Sequence, residues 1–466
     1  MPNITLSDTT PVPAPEFGDA SIAQKIASRL ERIPISPWHV KIRIVVGVAT
    51  FFDAFNALAI AYILPVIIPL WHIHSTDIGI LISTAYVGQL VGALFFGWIA
   101  ERFGRKPAIV WSILTFAVMS FACAGAWSYG SLVAFRILQG FGLGGEVPVA
   151  IAYISELSKA KGRGRFVLLY ELIFPIGLLA AALLGLWIVP NFGWRWMFII
   201  GGVPAVAAFF MTVIPESPRW LAARGRYAEA EVALTYIEQA AERSSGKALP
   251  SPEPTAAPEV KKASWGDLFG PGYLRRTLVI WFCWFASYLV TYGLVVWMPS
   301  LYRIVFHLPL QTALLYALIP NIVAIFTGLL CALVIDFTGR RWWFAGSLAL
   351  CAVALLVLWA IGPTTPLRLL LFGGLAFLAS GQLSLGLYLY TPELYPTRAR
   401  AIAVGTATAW LRVASIIGPI FVGVMVGHGG FSLVFLGMGV VVALCAIVLA
   451  VFGVETKGRV LEEVSR

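Results

Sequence analysis

Charged residues are scarce in this sequence. They account for 12% of its 466 residues, whereas 59% are hydrophobic. Soluble globular chains carry about twice that proportion of charge. The composition therefore excludes an ordinary soluble domain and predicts a protein that is largely embedded in a membrane.

Cysteine and histidine are also rare, with five residues of each type. The cysteines fall inside apolar runs without metal-ligand spacing, so we expect them to pack rather than to bind metal or form disulfides. The sequence contains no nucleophile–base constellation and no Walker phosphate loop. We therefore predict no metal, no cofactor, no enzymatic activity and no ATP-driven step.

Long runs without any charge dominate the chain. Each can supply the roughly 20 residues that cross a bilayer as a helix, and they cover 78–100, 107–135, 172–194, 196–215, 277–302, 304–335, 342–367 and 369–392. The run 413–454 is long enough for two spans, and interrupted runs lie near 44–70 and 130–157. The sequence thus predicts an all-α membrane protein with twelve transmembrane helices.

The basic residues are distributed unevenly between the two sides of these spans. Of the 33 lysines and arginines, 28 fall in the N-terminal segment, the even-numbered loops and the C-terminus. This asymmetry is the positive-inside pattern, and it predicts that both termini are cytosolic. The excess of positive charge then reflects topology and gives no reason to expect a nucleic-acid partner.

The chain is predicted to consist of two related halves. A polar segment divides the spans six and six, and "ERFGRK" (101–106) and "DFTGRR" (336–341) recur at matching places. "SELSKAKGRGR" (155–165) and "PELYPTRAR" (392–400) form a second such pair. An internal duplication of six spans explains both repeats. We expect a flexible cytosolic tail over 1–40 and six-helix halves over 41–215 and 276–454. A cytosolic loop over 216–275 separates the halves, and a cytosolic C-terminal tail covers 455–466.

These motifs together resemble the major facilitator superfamily, a large family of secondary transporters. "PESPRWL" (215–221) and "VETKGRVLEE" (454–463) are similar to the ends of the two halves in sugar porters. "GFGLGGEVPVAIAYISELSKAKGRGR" and "YTPELYPTRARAIAVG" look more like the branch of bacterial nicotinate transporters, aromatic-acid proton symporters and organic ion transporters. The resemblance implies a twelve-helix fold that works by alternating access around a midplane site.

The resemblance also implies a role for charges at the cytosolic helix ends. In the family, such charges form bridges between helices that break and re-form as the halves rock; simple positive-inside anchoring remains an alternative. The expected gating residues are Glu101, Arg102, Arg105, Lys106, Glu156, Arg163 and Arg165 in the first half, and Asp336, Arg340, Arg341, Glu393, Arg398 and Arg400 in the second.

Arg412 is the only charged residue between Arg400 and Glu455. It lies on one predicted helical face with Gly405, Thr408, Ser415 and Pro419, at spacings of 3, 4, 3 and 4. An arginine at the centre of a span costs at least about 2.5–3.5 kcal/mol on insertion scales, and guanidinium groups bind carboxylates through two parallel hydrogen bonds. We interpret Arg412 as the site of an organic anion, as in organic-anion members of the resembled branch. An internal ion pair with Glu171 is the alternative.

Other polar and aromatic residues of the spans are predicted to line the same cavity. Packing is the alternative role for the aromatic rings. The expected substrate-binding residues besides Arg412 are Gln89, Trp284, Tyr288, Thr291, Tyr292, Asn321, Gln382, Tyr388, Thr408 and Ser415.

Asp53 and Arg136 are the predicted proton-coupling pair. They lie within the first and fourth spans, and proton-coupled relatives among the sugar porters pair an acid and an arginine at these places. A static pair that fixes helix packing is the alternative. Glu146 and Glu171 are the other intramembrane acids, and either a structural or a proton-handling role is open for them.

The sequence as a whole predicts a proton-coupled transporter of the bacterial inner membrane. The favoured substrate is a small monocarboxylate similar to nicotinate or benzoate. A sugar or polyol porter is the alternative among transporters, and a receptor or sensor on the same fold is the alternative outside them. The expected partners are the substrate, protons and the lipid bilayer, and the carrier is expected to be a monomer.

Overall fold

The computed structural model describes residues 19–34, 36–157, 170, 173–211, 214–252, 265–395, 399–428 and 430–457. Eleven helices within these ranges are long and apolar enough to cross a membrane, and a shorter apolar stretch covers Arg195–Met211. The described residues contain no β-strand. The predicted all-α membrane architecture is therefore confirmed.

The first six-helix half begins after a short N-terminal helix, α1 (Asp19–Arg32). Its helices are α2 (Pro37–Trp71), α3 (Ser75–Phe103), α4 (Arg105–Ala124), α5 (Tyr129–Leu157), α6 (Ile173–Phe192), and a sixth in two pieces, α7 (Arg195–Gly201) and α8 (Pro204–Met211). The sixth helix is interrupted before Pro204, which cannot donate the hydrogen bond that a continuous helix needs. Two polar helices follow, α9 (Pro218–Ala223) and α10 (Tyr227–Ser245).

The second half repeats this arrangement. Its helices are α11 (Leu274–Val295) with its extension α12 (Met298–Ile304), α13 (Leu310–Thr338), α14 (Arg340–Ile361), α15 (Pro366–Glu393), α16 (Arg400–Gly427) and α17 (Phe431–Phe452). One end of the molecule carries the α3–α4 and α13–α14 turns together with α1, α9 and α10. We call it the basic end, because the arginine-rich loops of both halves are there.

The two repeated turns at the basic end are built alike. Gly104 and Gly339 have φ angles of +118° and +87°, which side chains disfavour. A Cβ atom on Gly104 would also collide with the carboxylate of Glu216, and one on Gly339 with that of Glu455. The glycines in "ERFGRK" and "DFTGRR" therefore provide both the turn and the space for an acidic side chain.

The N-terminal segment differs from the expected flexible tail. From residue 19 it forms α1, whose Ile26 and Leu30 are buried in one apolar cluster with Leu234 and Ile237 of α10. The apolar spacing of α1 gives it one face that gains by packing against this neighbour. The expectation of a flexible tail up to residue 40 is wrong for this part, while residues 1–18 lie outside the described ranges.

The two halves meet along α3 and α16, which run antiparallel and form what we call the seam. Far from the basic end the seam is tight: a Cβ atom on Gly79 would lie 2.9 Å from the Cα of Ile420. Farther along, the hydroxyl of Ser83 donates to the backbone oxygen of Ile416 at 2.7 Å. Toward the basic end the seam opens among the described residues: an added Cβ on Gly97 or Gly405 would have none of their atoms within 4 Å.

Candidate functional site

Arg412 lies in the middle of α16, half-buried, where the tight part of the seam ends. Its Nη1 donates a hydrogen bond across the seam to Oε1 of Gln89 on α3. Among the described residues no carboxylate forms an ion pair with Arg412, although Asp53 is close enough to interact with it electrostatically. Glu171, the alternative partner, lies outside the described residues. The guanidinium is therefore held by a neutral amide.

Asp53 and Arg136 are both buried, at 2% and 1% exposure. They do not form an ion pair in this conformation: Arg136 donates to the backbone oxygen of Asn56 at 3.3 Å and to Oε1 of Gln139 at 2.7 Å. Oδ1 of Asp53 has no hydrogen-bond partner within the described part of the chain. The structure thus has the two residues of the predicted pair apart, and the predicted pairing remains a prediction.

Asn56 is the centre of a buried network that the sequence did not reveal. Its Nδ2 donates to the backbone oxygens of Phe52 at 2.9 Å and Gly201 at 3.1 Å. Its Oδ1 accepts from Nε2 of Gln139 at 3.1 Å and from the hydroxyl of Ser120 at 3.4 Å. An amide can donate and accept together, whereas an aspartate could only accept. This explains why position 56 is an asparagine. The available signal in the sequence was the spacing of three between Arg136 and Gln139, which puts two polar side chains on the same face of a membrane-spanning helix.

An aromatic column runs along α11 toward the seam. The rings of Trp284 and Tyr288 stack at 5.6 Å with an interplanar angle of 7°, and those of Tyr288 and Tyr292 at 5.8 Å and 20°. Tyr292 then meets Tyr86 of α3 at 5.1 Å. Tyr388 packs edge-on against Trp284 at 4.8 Å. Tyr86, which the sequence analysis missed, thus connects the column to the other half.

Tyr86 also belongs to the charged centre of the molecule. Its side chain is 2% exposed, and its hydroxyl has no hydrogen-bond partner among the residues that are described. It interacts electrostatically with Arg136, Arg412, Asp53 and Tyr292. These five residues come from α2, α3, α5, α11 and α16, and we call them the central cluster.

The remaining predicted substrate residues divide into two groups. Thr291 contacts the hydroxyl of Ser380 at 3.1 Å, and so belongs to the interface between α11 and α15 that lies beside the aromatic column. The others bond to carbonyl oxygens of their own helices, and the described contacts do not join them to the central cluster: Asn321 to Ala317, Gln382 to Leu378, Thr408 to Gly405 and Ser415 to Leu411.

Glu146 is buried on α5 and accepts a hydrogen bond from the hydroxyl of Thr50 on α2 at 2.9 Å. The hydroxyl of Thr50 also meets that of Tyr170. Glu146 therefore ties α2 and α5 together at a position distinct from the Asn56 network. The described residues contain no group of three histidine, cysteine, aspartate or glutamate side chains that could hold a metal ion.

The predicted gating residues form one cluster in each half at the basic end. In the first half Arg105 bridges Glu156 at 2.9 Å and Glu101 at 2.7 Å. In the second half Arg340 meets Glu393 at 3.2 Å. Several other members make different contacts: Arg102 lies over Trp98, Arg341 donates to Ala450 O, and Arg400 donates to Tyr395 O. Arg163, Arg165 and Arg398 lie outside the described residues, as does the side chain of Asp336.

Two acids that were not predicted complete these clusters. The carboxylate of Glu216 accepts from the backbone N–H groups of Arg105 and Lys106, each at 3.1 Å. Glu455 accepts equivalently from Arg340 at 2.9 Å and Arg341 at 3.2 Å. Each carboxylate thus caps the N-terminus of α4 or α14, where negative charge is favourable. Burial raises the pKa of Glu216 above its ordinary value, although the backbone N–H groups favour its charged form.

Residues 44–466 match the family model described as "Sugar (and other) transporter". The chain belongs to this family of major facilitator transporters. Members of the family move small molecules across membranes and are not enzymes, so the expectation of a multi-pass transporter is confirmed.

Two bacterial transport proteins are similar to this chain over nearly their whole length. The niacin transporter NiaP of Acinetobacter baylyi is 33% identical over 451 residues, which cover 94% of this chain and 99% of that protein. The inner membrane metabolite transport protein YdjE of Escherichia coli is 29% identical over 447 residues, covering 95% and 98%. The predicted resemblance to bacterial nicotinate transporters is therefore confirmed.

The solved structures support the fold. The xylose transporter XylE of E. coli, in a partially occluded inward open conformation, superposes with a TM-score of 0.70 at 21% identity and covers 91% of this chain and 100% of that chain. At this level of identity the likeness establishes the major facilitator fold alone.

Proposed function

We propose that this transporter imports a small aromatic monocarboxylate, similar to nicotinate or benzoate, together with a proton. The observation that carries the proposal is the charge of the central cluster. Within the described part of the chain, it holds the guanidinium groups of Arg136 and Arg412 and one carboxylate, that of Asp53. A cation removed from water without an ionic partner is unfavourable, so the cluster favours a ligand that brings one negative charge.

The aromatic column supports a flat ring as the other part of the ligand. Trp284, Tyr288 and Tyr292 present stacked rings that end beside Tyr86. Aromatic rings pack well against one another in offset or edge-on arrangements. An aromatic acid can therefore place its carboxylate on Arg412 and its ring near Tyr292. The printed function of the A. baylyi relative, niacin transport, agrees with this choice.

Asp53 is the proposed proton carrier. It is buried close to Arg412 and has an oxygen without a described hydrogen-bond partner. A carboxyl group in such a place changes its affinity for protons when its distance from a cation changes. Rocking of the halves can vary this distance and thereby load and release the proton.

The proposed topology has the basic end in the cytosol of a bacterium, with the protein in the inner membrane. The halves are proposed to extend over 41–215 and 276–454, and the loop 216–275 then lies in the cytosol with both termini. The distribution of lysine and arginine supports this orientation.

The test is uptake of labelled nicotinate and benzoate by proteoliposomes containing Arg412 variants. Arg412→Ala should abolish uptake of both acids while leaving insertion intact, and Arg412→Lys should weaken binding because it cannot make the bidentate contact. Losing one partner of a desolvated charge pair costs about 2–5 kcal/mol. The matching amide, nicotinamide, should bind poorly to the wild type, because it leaves the guanidinium without an anion.

A different result would indicate another ligand. Normal uptake of the acids by Arg412→Ala would refute the anion site. Uptake of a sugar by the wild type, unaffected by this substitution, would support the sugar porter instead. Saturable binding without any uptake would support a receptor.

A further inference from the structure

The contact between Gln89 and Arg412 marks the point where the seam changes from closed to open. The seam face of α3 carries Ser75, Gly79, Ser83, Tyr86 and Gln89, spaced by 4, 4, 3 and 3 residues, which places them on one side of the helix. The first three face the closed part, where α3 and α16 are in direct contact, and Tyr86 packs against Tyr292 of α11. Gln89 is the last residue of this face with a described hydrogen bond to the other half.

Beyond this point the two helices separate. Because the two helices are antiparallel, the seam continues toward the basic end after Gln89 on α3 and before Arg412 on α16. It reaches Gly97 on α3 and Gly405 on α16. Neither has a described atom within 4 Å of an added Cβ. A molecule that enters between the halves from the basic end therefore meets the Gln89–Arg412 contact at the closed end of its path.

The amide oxygen of Gln89 occupies Nη1 of Arg412, one of the two nitrogen atoms that a carboxylate bound across the Nη1–Nη2 edge of the guanidinium would use. Gln89 is 2% exposed, and its Oε1 accepts the hydrogen bond from Nη1 of the guanidinium. A carboxylate and Gln89 cannot both hold the same N–H group in an ideal geometry. Binding of the one should weaken or remove the other.

We infer that Gln89 is an internal stand-in for the substrate carboxylate, and that the substrate releases an inter-half latch when it displaces Gln89 from Arg412. This inference rests on the proposed function, because it takes the ligand to be an anion that binds Arg412. It assigns Gln89 a role different from that of a direct substrate ligand. The latch consists of one hydrogen bond between α3 and α16.

The choice of an amide fits this role. The empty carrier must also reorient, and during that step Arg412 needs an acceptor because a buried guanidinium without one is costly. A neutral amide satisfies the guanidinium but binds it more weakly than a carboxylate does, because it lacks the opposite charge and the second parallel hydrogen bond of the bidentate pair. A glutamate at position 89 would compete too well, and an alanine would not serve the empty carrier.

The experiment measures binding of labelled nicotinate and benzoate to the purified full-length protein, together with its thermal unfolding without ligand. In Gln89→Ala the affinity should rise about tenfold, because a competing hydrogen bond to a charged group is removed. In Gln89→Glu binding should be lost, and the ligand-free midpoint of unfolding should rise because Arg412 gains an ionic partner. Ser83→Ala is the matched control: it removes another seam hydrogen bond, that to Ile416, without touching Arg412, and its affinity should equal that of the wild type.

Transport assays add a second signature. Gln89→Ala should still exchange internal for external substrate, but net uptake should slow, because only the empty carrier has lost its acceptor. If Gln89→Ala slowed exchange and net uptake to the same extent, the inference would be contradicted. It would also be contradicted if both rates equalled those of the wild type.

The remaining outcomes separate the inference from the proposed function. Weaker binding by Gln89→Ala would make Gln89 a substrate ligand and overturn the stand-in role. If Ser83→Ala raised the affinity for the acids as much as Gln89→Ala does, the effect would come from a looser seam. That result would also overturn the stand-in role of Gln89. If the wild type binds neither acid but Gln89→Glu still raises the unfolding midpoint, the proposed substrate class is wrong while the latch itself stands. An unchanged midpoint in Gln89→Glu would overturn the latch.

Discussion

At the scale of single residues, the centre of this transporter is defined by polar groups that are buried with few partners. Arg136 is 1% exposed and makes its described bonds to neutral oxygens alone. Burying a charge in this way costs several kcal/mol unless other dipoles or charges compensate. The carbonyl of Asn56 and the amide of Gln139 supply such dipoles, so the network around Asn56 supports Arg136 as well as holding helices together.

We expect Asn56→Leu to destabilise the protein strongly. The substitution removes the two donor and two acceptor bonds of the amide and leaves buried groups on Gln139 and Gly201 with fewer partners. Each buried polar group that loses its partner costs about 1–3 kcal/mol. Thermal unfolding of the purified protein in detergent should show a clear fall in the midpoint.

Asn321→Leu is the control for this measurement. Asn321 is also a buried asparagine, but its described bond runs to Ala317 of its own helix. Its replacement should change the midpoint much less. Equal effects of the two substitutions would mean that the Asn56 network does not connect the helices as described.

The sequence predicted functional residues whose type is unusual within a membrane span. It did not predict residues whose importance comes only from their contacts in the folded structure. Arg412 was found because it is isolated in an apolar stretch, and it lies where the halves meet. Ser120, Gln139 and Tyr86 are ordinary residues for a span, and only their tertiary contacts distinguish them. Asp53 and Arg136 are apart in this structure, and their predicted pairing stays a prediction, because no local sequence pattern encodes the conformation.

At the scale of elements, the helices at the basic end form a charged clamp under the first half. Arg29 and Arg32 of α1 bind the carboxylate of Glu238 on α10, each at 2.7 Å. Arg219 of α9 bonds to Glu31 of α1 at 2.7 Å. Burial by itself would raise the pKa of Glu238, but the hydrogen bonds from the two arginines outweigh it and the pKa is lowered. The segment was expected to be flexible because it lacks a long apolar run, yet alternating apolar and basic positions suffice for a docked helix.

We expect the docking of α1 to weaken at low pH. A carboxyl group whose pKa is lowered in the folded state stabilises it above the pKa of the unfolded state, near 4.3 for glutamate, and this contribution is lost as the pH falls through the lowered pKa. Glu238→Gln should remove the contribution at neutral pH, by about 1 kcal/mol. Limited proteolysis of α1, followed between neutral pH and pH 3, measures the effect.

The matched control is Glu229→Gln on the same helix. Glu229 pairs with Arg226, three residues away, and does not contact α1 in the described structure. Cleavage of α1 should therefore follow the wild type in this variant. If α1 were equally protected from proteolysis in Glu238→Gln and in the wild type at every pH, the clamp would be refuted.

At the scale of the whole molecule, the structure is closed away from the basic end and open toward it. The contacts of Gly79 and Ser83 hold α3 against α16, whereas Gly97 and Gly405 face open space. With the basic end in the cytosol, as proposed, this is an inward-facing state. The sequence predicted twelve spans in two related halves because length and charge are local properties. It could not predict the state, since the state depends on contacts between the halves, such as those of Gly79 and Ser83, which no local pattern specifies.

The balance of charge in the central cluster predicts electroneutral transport. With Asp53 ionised, the described residues of the empty cluster are two arginines and one carboxylate, a net single positive charge. With a monocarboxylate bound and Asp53 protonated, it again has two arginines and one anion. The loaded and empty carriers then move the same charge through the membrane, so one anion enters with one proton. Moving one net charge across the membrane changes its free energy by about 2.3 kcal/mol per 100 mV. A membrane potential therefore distinguishes electroneutral transport from transport that moves net charge.

We expect a pH gradient, acidic outside, to drive accumulation of nicotinate or benzoate in proteoliposomes, and a potassium-diffusion potential alone to drive none. Asp53→Asn fixes the residue in a form that resembles the protonated state. This variant should exchange labelled for unlabelled substrate but should not accumulate it under the pH gradient, because no proton accompanies the anion. Accumulation driven by an inside-negative potential would require more than one proton for each anion. Undiminished accumulation by Asp53→Asn would remove Asp53 from the proton path and assign that role to Glu146 or Glu171.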